Sequence, residues 1–134
     1  LARIASIVYL DAHVPGNGQS VFDLAGYVRE DDPLPPTRAA DFLVNEADRA
    51  WVDRQCTPQS AACFKQKLFH TGAFQRVAKK TYIRPLDYAS ARFDKACAPL
   101  REDPSWRVID VRGSGHDVML DKPEELARLL EEAA

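Results

Sequence analysis

The segment from Trp106 to Leu130 constrains the fold of this chain more than any other. It opens with residues that favour β-strands: Trp106, Val108, Ile109 and Val111. Gly113 and Gly115 interrupt this pattern, and the turn they form leaves His116 exposed just past the strand end. The segment is therefore predicted to be the last β-loop-α unit of an α/β protein. His116 then lies where such folds often hold their reactive groups.

A helix is predicted after the histidine. Asp121 is predicted to cap it, with Glu124 as the reciprocal partner of a capping box. Apolar residues fall on one face of this helix: Leu126, Leu129, Leu130 and Ala133. We expect this face to pack on the sheet and to end the domain.

Two further strands are predicted upstream. The near-continuous apolar run from Ile4 to Ala12 is typical of a strand buried on both faces, with a neighbour on each side. Lys79 to Pro85 forms the second strand, and Ala91 to Ala98 a short helix that Pro99 limits. The order β, helical insert, β, α, β, α predicts a parallel sheet with right-handed connections.

The residues between the first two strands have a different pattern. Ser20 is predicted to cap a short helix, and Thr37 to Asp53 has apolar residues at helical spacing. About 60 residues of short helices exceed what one crossover connection needs. We therefore expect residues 19–78 to form a helical cap, or lid, over a core made of residues 1–18 and 79–134.

A carboxylate beside the histidine is also predicted. The carboxyl ends of parallel strands share one edge of the sheet, and both Asp87 and His116 follow such ends. A carboxylate there can fix the tautomer of an imidazole and stabilise its protonated form. Asp11, after the first strand, is an alternative for this role. The simpler interpretation is that His116 and Asp87 are solvated loop residues.

Composition excludes several classes of function. The net charge is −2 and the basic residues are scattered, which disfavours a nucleic-acid partner. No apolar run is long enough to span a bilayer, so we expect a soluble, cytoplasmic protein without a membrane partner. Cys56 and Cys63 can pair, or all three cysteines can be free buried thiols. The spacing of cysteines and histidines predicts no metal site, and no cofactor is expected.

Four segments carry a resemblance to a known family: VYLDAHVPGNGQSVFDL, WVDRQCTPQSAACFKQKL, TYIRPLDYASARFD and WRVIDVRGSGHDVMLDKPEELARLL. In this order they resemble the C-terminal half of the α/β-hydrolase fold. More narrowly, they are similar to bacterial esterase-like relatives of the plant methylesterase and hydroxynitrile lyase family. The resemblance implies that residues 4–11, 80–84 and 107–112 are the sixth, seventh and eighth strands. It also implies that His116 is the histidine of a catalytic triad and Asp87 its acid.

The serine of that family has no counterpart here. Its nucleophile lies in a Gly-x-Ser-x-Gly elbow before the sixth strand, and the 134 residues contain no such pentapeptide. The resemblance therefore implies the C-terminal portion of a serine-dependent hydrolase of small carboxylic esters, present as a fragment, a cleaved chain or one piece of a two-chain assembly. We expect the chain alone to be inactive. We also expect it to pair with an N-terminal half carrying the serine, or to self-associate through residues 4–11.

A substrate pocket is predicted in the cap, lined by Phe22, Trp51, Phe64 and Leu68. Simple packing of these side chains in the core or lid is the competing interpretation. The sequence is also compatible with two other functions. One is a non-catalytic α/β module that binds a small apolar ligand, and the other is a hydrolase-fold enzyme that uses His116 for acid-base chemistry without a nucleophile.

Overall fold

A three-stranded parallel sheet organises the structure, a computed structural model that describes residues 4–26 and 28–134. The strands are β1 (Ser6–Leu10), β2 (Lys79–Pro85) and β3 (Trp106–Val111), in the order β1-β2-β3. Leu10 lies opposite Ile83, and Pro85 lies opposite Val111, so the carboxyl ends of all three strands meet at one edge. The predicted parallel order is confirmed.

The helices lie after each strand and within the long connection from β1 to β2. They are α1 (Val21–Ala25), α2 (Glu46–Gln55), α3 (Ala62–Lys65), α4 (Ala91–Glu102), α5 (Val118–Asp121) and α6 (Pro123–Ala133). Two 3₁₀ turns, Ala39–Phe42 and Ala73–Arg76, complete the connection. Within the described ranges, no helix combines the length and the apolar character that crossing a bilayer requires.

The main core lies between the sheet and α6. Leu126 and Leu129 of α6 pack with Ile83 and Val111, and the side chains of Val8, Leu10 and Ile109 border this cluster. Because alternate residues of a strand face opposite sides, Tyr82 and Arg84 point to the other face, against which α4 packs. Each face of the central strand is therefore covered by one helix.

The insert between β1 and β2 has two small apolar clusters of its own. Phe22, Leu34 and Ala61 form one, with Phe64 packed against it. The other contains Ala39, Val44 and Val52, bordered by Phe42 and by Leu120 of α5. The second cluster therefore joins the insert to the helix that follows the histidine loop.

Three local predictions were wrong. Thr37 to Asp53 is not one helix, because Leu43 adopts a left-handed φ of 57° and Asn45 starts α2 afresh as its N-cap. Pro99 does not end α4, which continues to Glu102. β1 is half-buried along its whole length instead of buried on both faces, since β2 is its sole strand partner in residues 4–26 and 28–134.

Of the two predicted N-caps, one is confirmed and one is wrong. Ser20 caps α1 as predicted, in a capping box with Asp23. Asp121 does not cap α6, which starts at Pro123 without a side-chain cap. The reason is that the Asp121 carboxylate already accepts hydrogen bonds from Gly115 and Asn45.

Candidate active site

The backbone around His116 is held by the insert. Gly113 takes a left-handed φ of 71° and turns the chain back after β3. Gly115 then passes so close to residues 42 and 43 that an added Cβ would lie 2.4 Å from the Leu43 carbonyl oxygen. The His116 amide donates to the Phe42 carbonyl at 2.9 Å. The histidine loop therefore has a fixed place above the carboxyl ends of the strands.

Asp11 is the carboxylate that meets His116. Its Oδ2 lies 2.6 Å from His116 Nδ1, and its side chain is fully buried. Because a carboxylate only accepts hydrogen bonds, Nδ1 carries the hydrogen, which in a neutral ring leaves the lone pair on Nε2. No group in the described part of the chain hydrogen-bonds Nε2. Asp11 has a left-handed φ of 39°, a strained conformation for a residue with a side chain.

Asp87 lies elsewhere at the same edge. It is exposed, makes no hydrogen bond to His116 within residues 28–134, and lines a shallow cavity with the turn at Gly113–Gly115. Its position follows from the register. The amide of Leu86 still bonds to Val111, so the chain of β2 runs straight past the sheet edge before Asp87. The structure therefore brings together His116 and the alternative acid, Asp11, and not the first choice, Asp87.

Three aromatic rings surround the imidazole. Phe93 stacks on it with centroids 5.4 Å apart, while Phe42 and Tyr88 approach at 4.8 Å and 5.1 Å. They come from three different elements, and the imidazole remains partly accessible, at 23%. These rings shield part of the imidazole from water and leave the rest accessible.

A second histidine, His13, lies next to Phe93. The rings of His13 and Phe93 are 5.1 Å apart. Partial burial lowers the pKa of His13, and the nearby charges of Arg92 and His116 lower it further. Burial also raises the pKa of Asp117, the residue after His116. His13 is therefore biased towards its neutral form beside the site.

The predicted pocket residues do not form one pocket. Phe22 is buried and stacks with Phe64 at 5.7 Å, so these two rings are core to the insert. Trp51 is exposed on α2. Leu68 is also exposed and lines two open grooves, one with Tyr9 and His70 and the other with His13.

Arg84 and the aromatic ring of Tyr88 are parts of the site that sequence reasoning missed. Arg84 is buried on β2 and donates from Nη1 to Asp11 Oδ1 at 2.9 Å. A signal for it does exist in the sequence, since Arg84 follows Tyr82 and Ile83 in a strand predicted to lie inside the sheet, where a charged side chain needs a partner. Tyr88 carries no such signal, because its place depends on the loop after β2.

Neither the cysteines nor the potential metal ligands form a site among the described residues. Cys56 and Cys63 are free and exposed, and Cys97 is free and buried. Among the described residues, no group of three or more histidine, cysteine and acidic side chains is arranged to hold a metal ion.

Comparison with known proteins shows what this chain is similar to. No protein-family profile matches the chain. The chain is 31% identical over 147 residues to a carbendazim hydrolyzing esterase of Nocardioides sp. (strain SG-4G), an alignment that covers 96% of this chain and 60% of that protein. The chain thus spans less than two thirds of the esterase, in its C-terminal part.

Solved structures settle the fold. A variant of tomato methylketone synthase I in complex with beta-ketoheptanoate superposes with a TM-score of 0.66 and 16% identity, over 98% of this chain and 61% of that one. The same enzyme complexed with 2-tridecanone gives a TM-score of 0.63 and 20% identity, over 94% and 60%. The chain has the fold of the C-terminal part of an α/β-hydrolase. Its sheet edge with His116 and Asp11 is therefore the carboxyl edge of a hydrolase sheet.

Proposed function

We propose that this chain supplies the histidine and the acid of a serine-dependent carboxylic ester hydrolase. The observation that carries the proposal is the 2.6 Å contact between His116 Nδ1 and the buried Asp11, at the carboxyl edge of a parallel sheet. The similarity to an esterase supports the reaction class. The serine and its oxyanion hole lie on polypeptide outside these 134 residues.

The proposed roles follow from the hydrogen-bonding capacity of each group. Nε2 of His116 accepts the proton of the serine hydroxyl as the oxygen attacks the ester carbonyl. Asp11 holds the ring with Nδ1 protonated and stabilises the imidazolium that forms. The imidazolium then returns the proton to the alcohol that leaves. Water repeats the cycle on the acyl-enzyme and releases the acid.

Small esters are the proposed substrates, and residues 19–78 act as the cap over them. Phe42, Tyr88 and Phe93 present aromatic surface around His116, which favours flat or apolar groups next to the ester. Carbendazim, the compound named for the bacterial relative, is therefore a suitable first compound to assay.

The test uses the chain together with the polypeptide that carries the Gly-x-Ser-x-Gly elbow. We expect His116→Ala to abolish ester hydrolysis and Asp11→Asn to lower kcat by about 10⁴-fold, because the wrong tautomer is then favoured. Asp87→Asn is the matched control and is expected to retain activity. Circular dichroism and thermal denaturation of each variant measure the fraction of folded enzyme.

Three results would contradict the proposal. Hydrolysis by the 134-residue chain alone, abolished by His116→Ala, would indicate acid-base chemistry without a serine. Binding of an apolar ligand without turnover, even in the presence of the elbow, would indicate a binding module. A loss of activity in Asp87→Asn and not in Asp11→Asn would refute the assignment of the acid.

A further inference from the structure

We infer that Arg84 is a positioning residue that holds Asp11 in place for His116, an inference that rests on the proposed function. Arg84 is almost fully buried, at 3% side-chain exposure, and Asp11 is completely buried. The two oxygens of Asp11 are divided between two partners. Oδ1 accepts from Arg84 at 2.9 Å, and Oδ2 faces His116 at 2.6 Å.

All five N–H groups of the guanidinium are used in hydrogen bonds. Nη1 bonds to the Pro85 carbonyl as well as to Asp11, and Nη2 bonds to the Tyr88 carbonyl. Nε and Nη2 both donate to Asp94 Oδ1, at 3.0 Å and 2.8 Å. A planar group with several fixed donors is thereby locked in one orientation, which a lysine ammonium cannot reproduce.

This lock acts on both sides of the imidazole. On one side, Arg84 fixes the carboxylate of Asp11. The backbone of Asp11 is strained, and its buried carboxylate has no contact with solvent. On the other side the bonds to Pro85 and Tyr88 fix the loop after β2, and the Tyr88 ring lies 5.1 Å from the His116 ring. Arg84 thus sets the position of Asp11 and of the Tyr88 ring beside His116.

Charge balance gives the second reason for an arginine here. A buried carboxylate without a cation is costly, and a buried ion pair that loses one member leaves an uncompensated charge. Asp94 is 64% exposed, so it serves the outer side of the guanidinium while Asp11 takes the inner side. Arg84 therefore supplies the opposite charge beside the buried carboxylate of Asp11.

The tautomer of His116 reports this role directly. Asp11 selects the Nδ1–H form of the neutral ring, whereas free histidine prefers Nε2–H. Long-range ¹H–¹⁵N correlation spectra of the 134-residue chain at alkaline pH measure the fraction of each form, with His116→Gln used to assign the signals. The readout needs no ester hydrolysis, so failure of the proposed function and failure of this inference remain distinguishable.

We expect wild-type His116 to be mainly Nδ1–H. Arg84→Gln is expected to shift the ring towards Nε2–H, and Arg84→Lys, which keeps the charge without the planar donors, to give a smaller shift in the same direction. Arg128→Gln is the matched control, because Arg128 is an exposed arginine on α6 paired with Glu132. It is expected to leave the tautomer unchanged.

The inference is overturned if wild-type His116 is mainly Nε2–H, or if folded Arg84→Gln keeps the wild-type tautomer. Should Arg84→Gln fail to fold, folded Arg84→Lys decides in its place, and an unchanged tautomer there rejects the inference. In the complete enzyme, the same variants are expected to lower kcat more than they raise KM, since the acid acts after substrate has bound.

Discussion

Gly115 is the residue at which the histidine loop and the insert come closest. A Cβ built on it would lie 2.4 Å from the Leu43 carbonyl oxygen and 2.6 Å from that of Phe42. These are backbone atoms of a segment that also accepts the His116 amide, so neither side moves without the other. A side chain at this position has no room.

We expect Gly115→Ala to lower the free energy of unfolding by about 3 kcal/mol, the upper range of overpacking. Urea denaturation measures it. Gly16→Ala is the matched control, because its Cβ would face only the flexible tip of the Gln19 side chain at 3.0 Å. Equal losses in the two variants would contradict the argument from close approach.

His13 is expected to make the stability of the chain depend on pH. Its pKa is lowered from 6.5 in the folded protein, first by burial and then by Arg92 and His116. The unfolded chain therefore binds more protons in this range, and stability rises with pH. The contribution of neutral His13 is fully present above pH 6.5 and is lost as pH falls through the folded-state value.

His13→Gln removes this titration, so its free energy of unfolding is expected to fall less than that of the wild type between neutral and mildly acidic pH. Denaturation at a series of pH values measures the difference. Packing effects of the substitution are read above pH 6.5, where His13 is neutral in both states. Parallel curves for the two proteins would refute the prediction.

At the scale of elements, Asp121 fastens the insert to the histidine loop. This last residue of α5 accepts from the Gly115 amide at 2.7 Å through Oδ2. Its Oδ1 accepts from the backbone amide and the side-chain amide of Asn45, at 3.0 Å and 3.1 Å. Since Asn45 is the N-cap of α2, one carboxylate joins the start of that helix to the residue before His116.

Asp121→Asn turns one acceptor into a donor that faces other donors. We expect it to lower the free energy of unfolding by about 2 kcal/mol and to speed amide hydrogen exchange at Gly115 and Asn45. Asp41→Asn is the control within the insert, because the side chain of Asp41 forms an exposed pair with Arg38. Exchange rates unchanged at both amides in Asp121→Asn would count against the link.

At the scale of the whole molecule, β1 is an apolar strand with β2 as its one strand partner among the described residues. Beside it, Tyr9 and Leu68 line an open groove of about 460 Å³. Unpaired edges and contiguous apolar surface are typical sites of association. We propose that this side of the sheet pairs with the polypeptide that carries the serine or, in its absence, with a second copy of the chain.

Analytical ultracentrifugation of the 134-residue chain is expected to show species larger than a monomer that grow with concentration. Leu68→Ser should weaken this association, because Leu68 is 50% exposed in the groove. Leu130→Ser, at a comparably exposed position on α6, is the control and should leave it unchanged. A well-folded monomer that also fails to bind the serine-bearing polypeptide would rule the proposal out.

Local patterns in the sequence were enough to place the strands and their order. Lys79–Pro85 has the predicted bounds, and Trp106–Val111 contains the four strand-favouring residues predicted for the last strand, because such patterns depend mainly on near neighbours. The short helix capped by Ser20 was predictable for the same reason. The partners of Asp121 were not, since one of them, Asn45, lies 76 residues away in the sequence.

By itself, the sequence determined that His116 follows the last strand of a parallel sheet and that an aspartate beyond another strand is available to it. Only the tertiary structure decided which aspartate, because the choice depends on the register of β2 and on the left-handed backbone of Asp11. It also depends on Arg84, whose positive charge offsets the cost of burying a carboxylate at position 11. Such long-range electrostatics leave no periodic trace in a sequence.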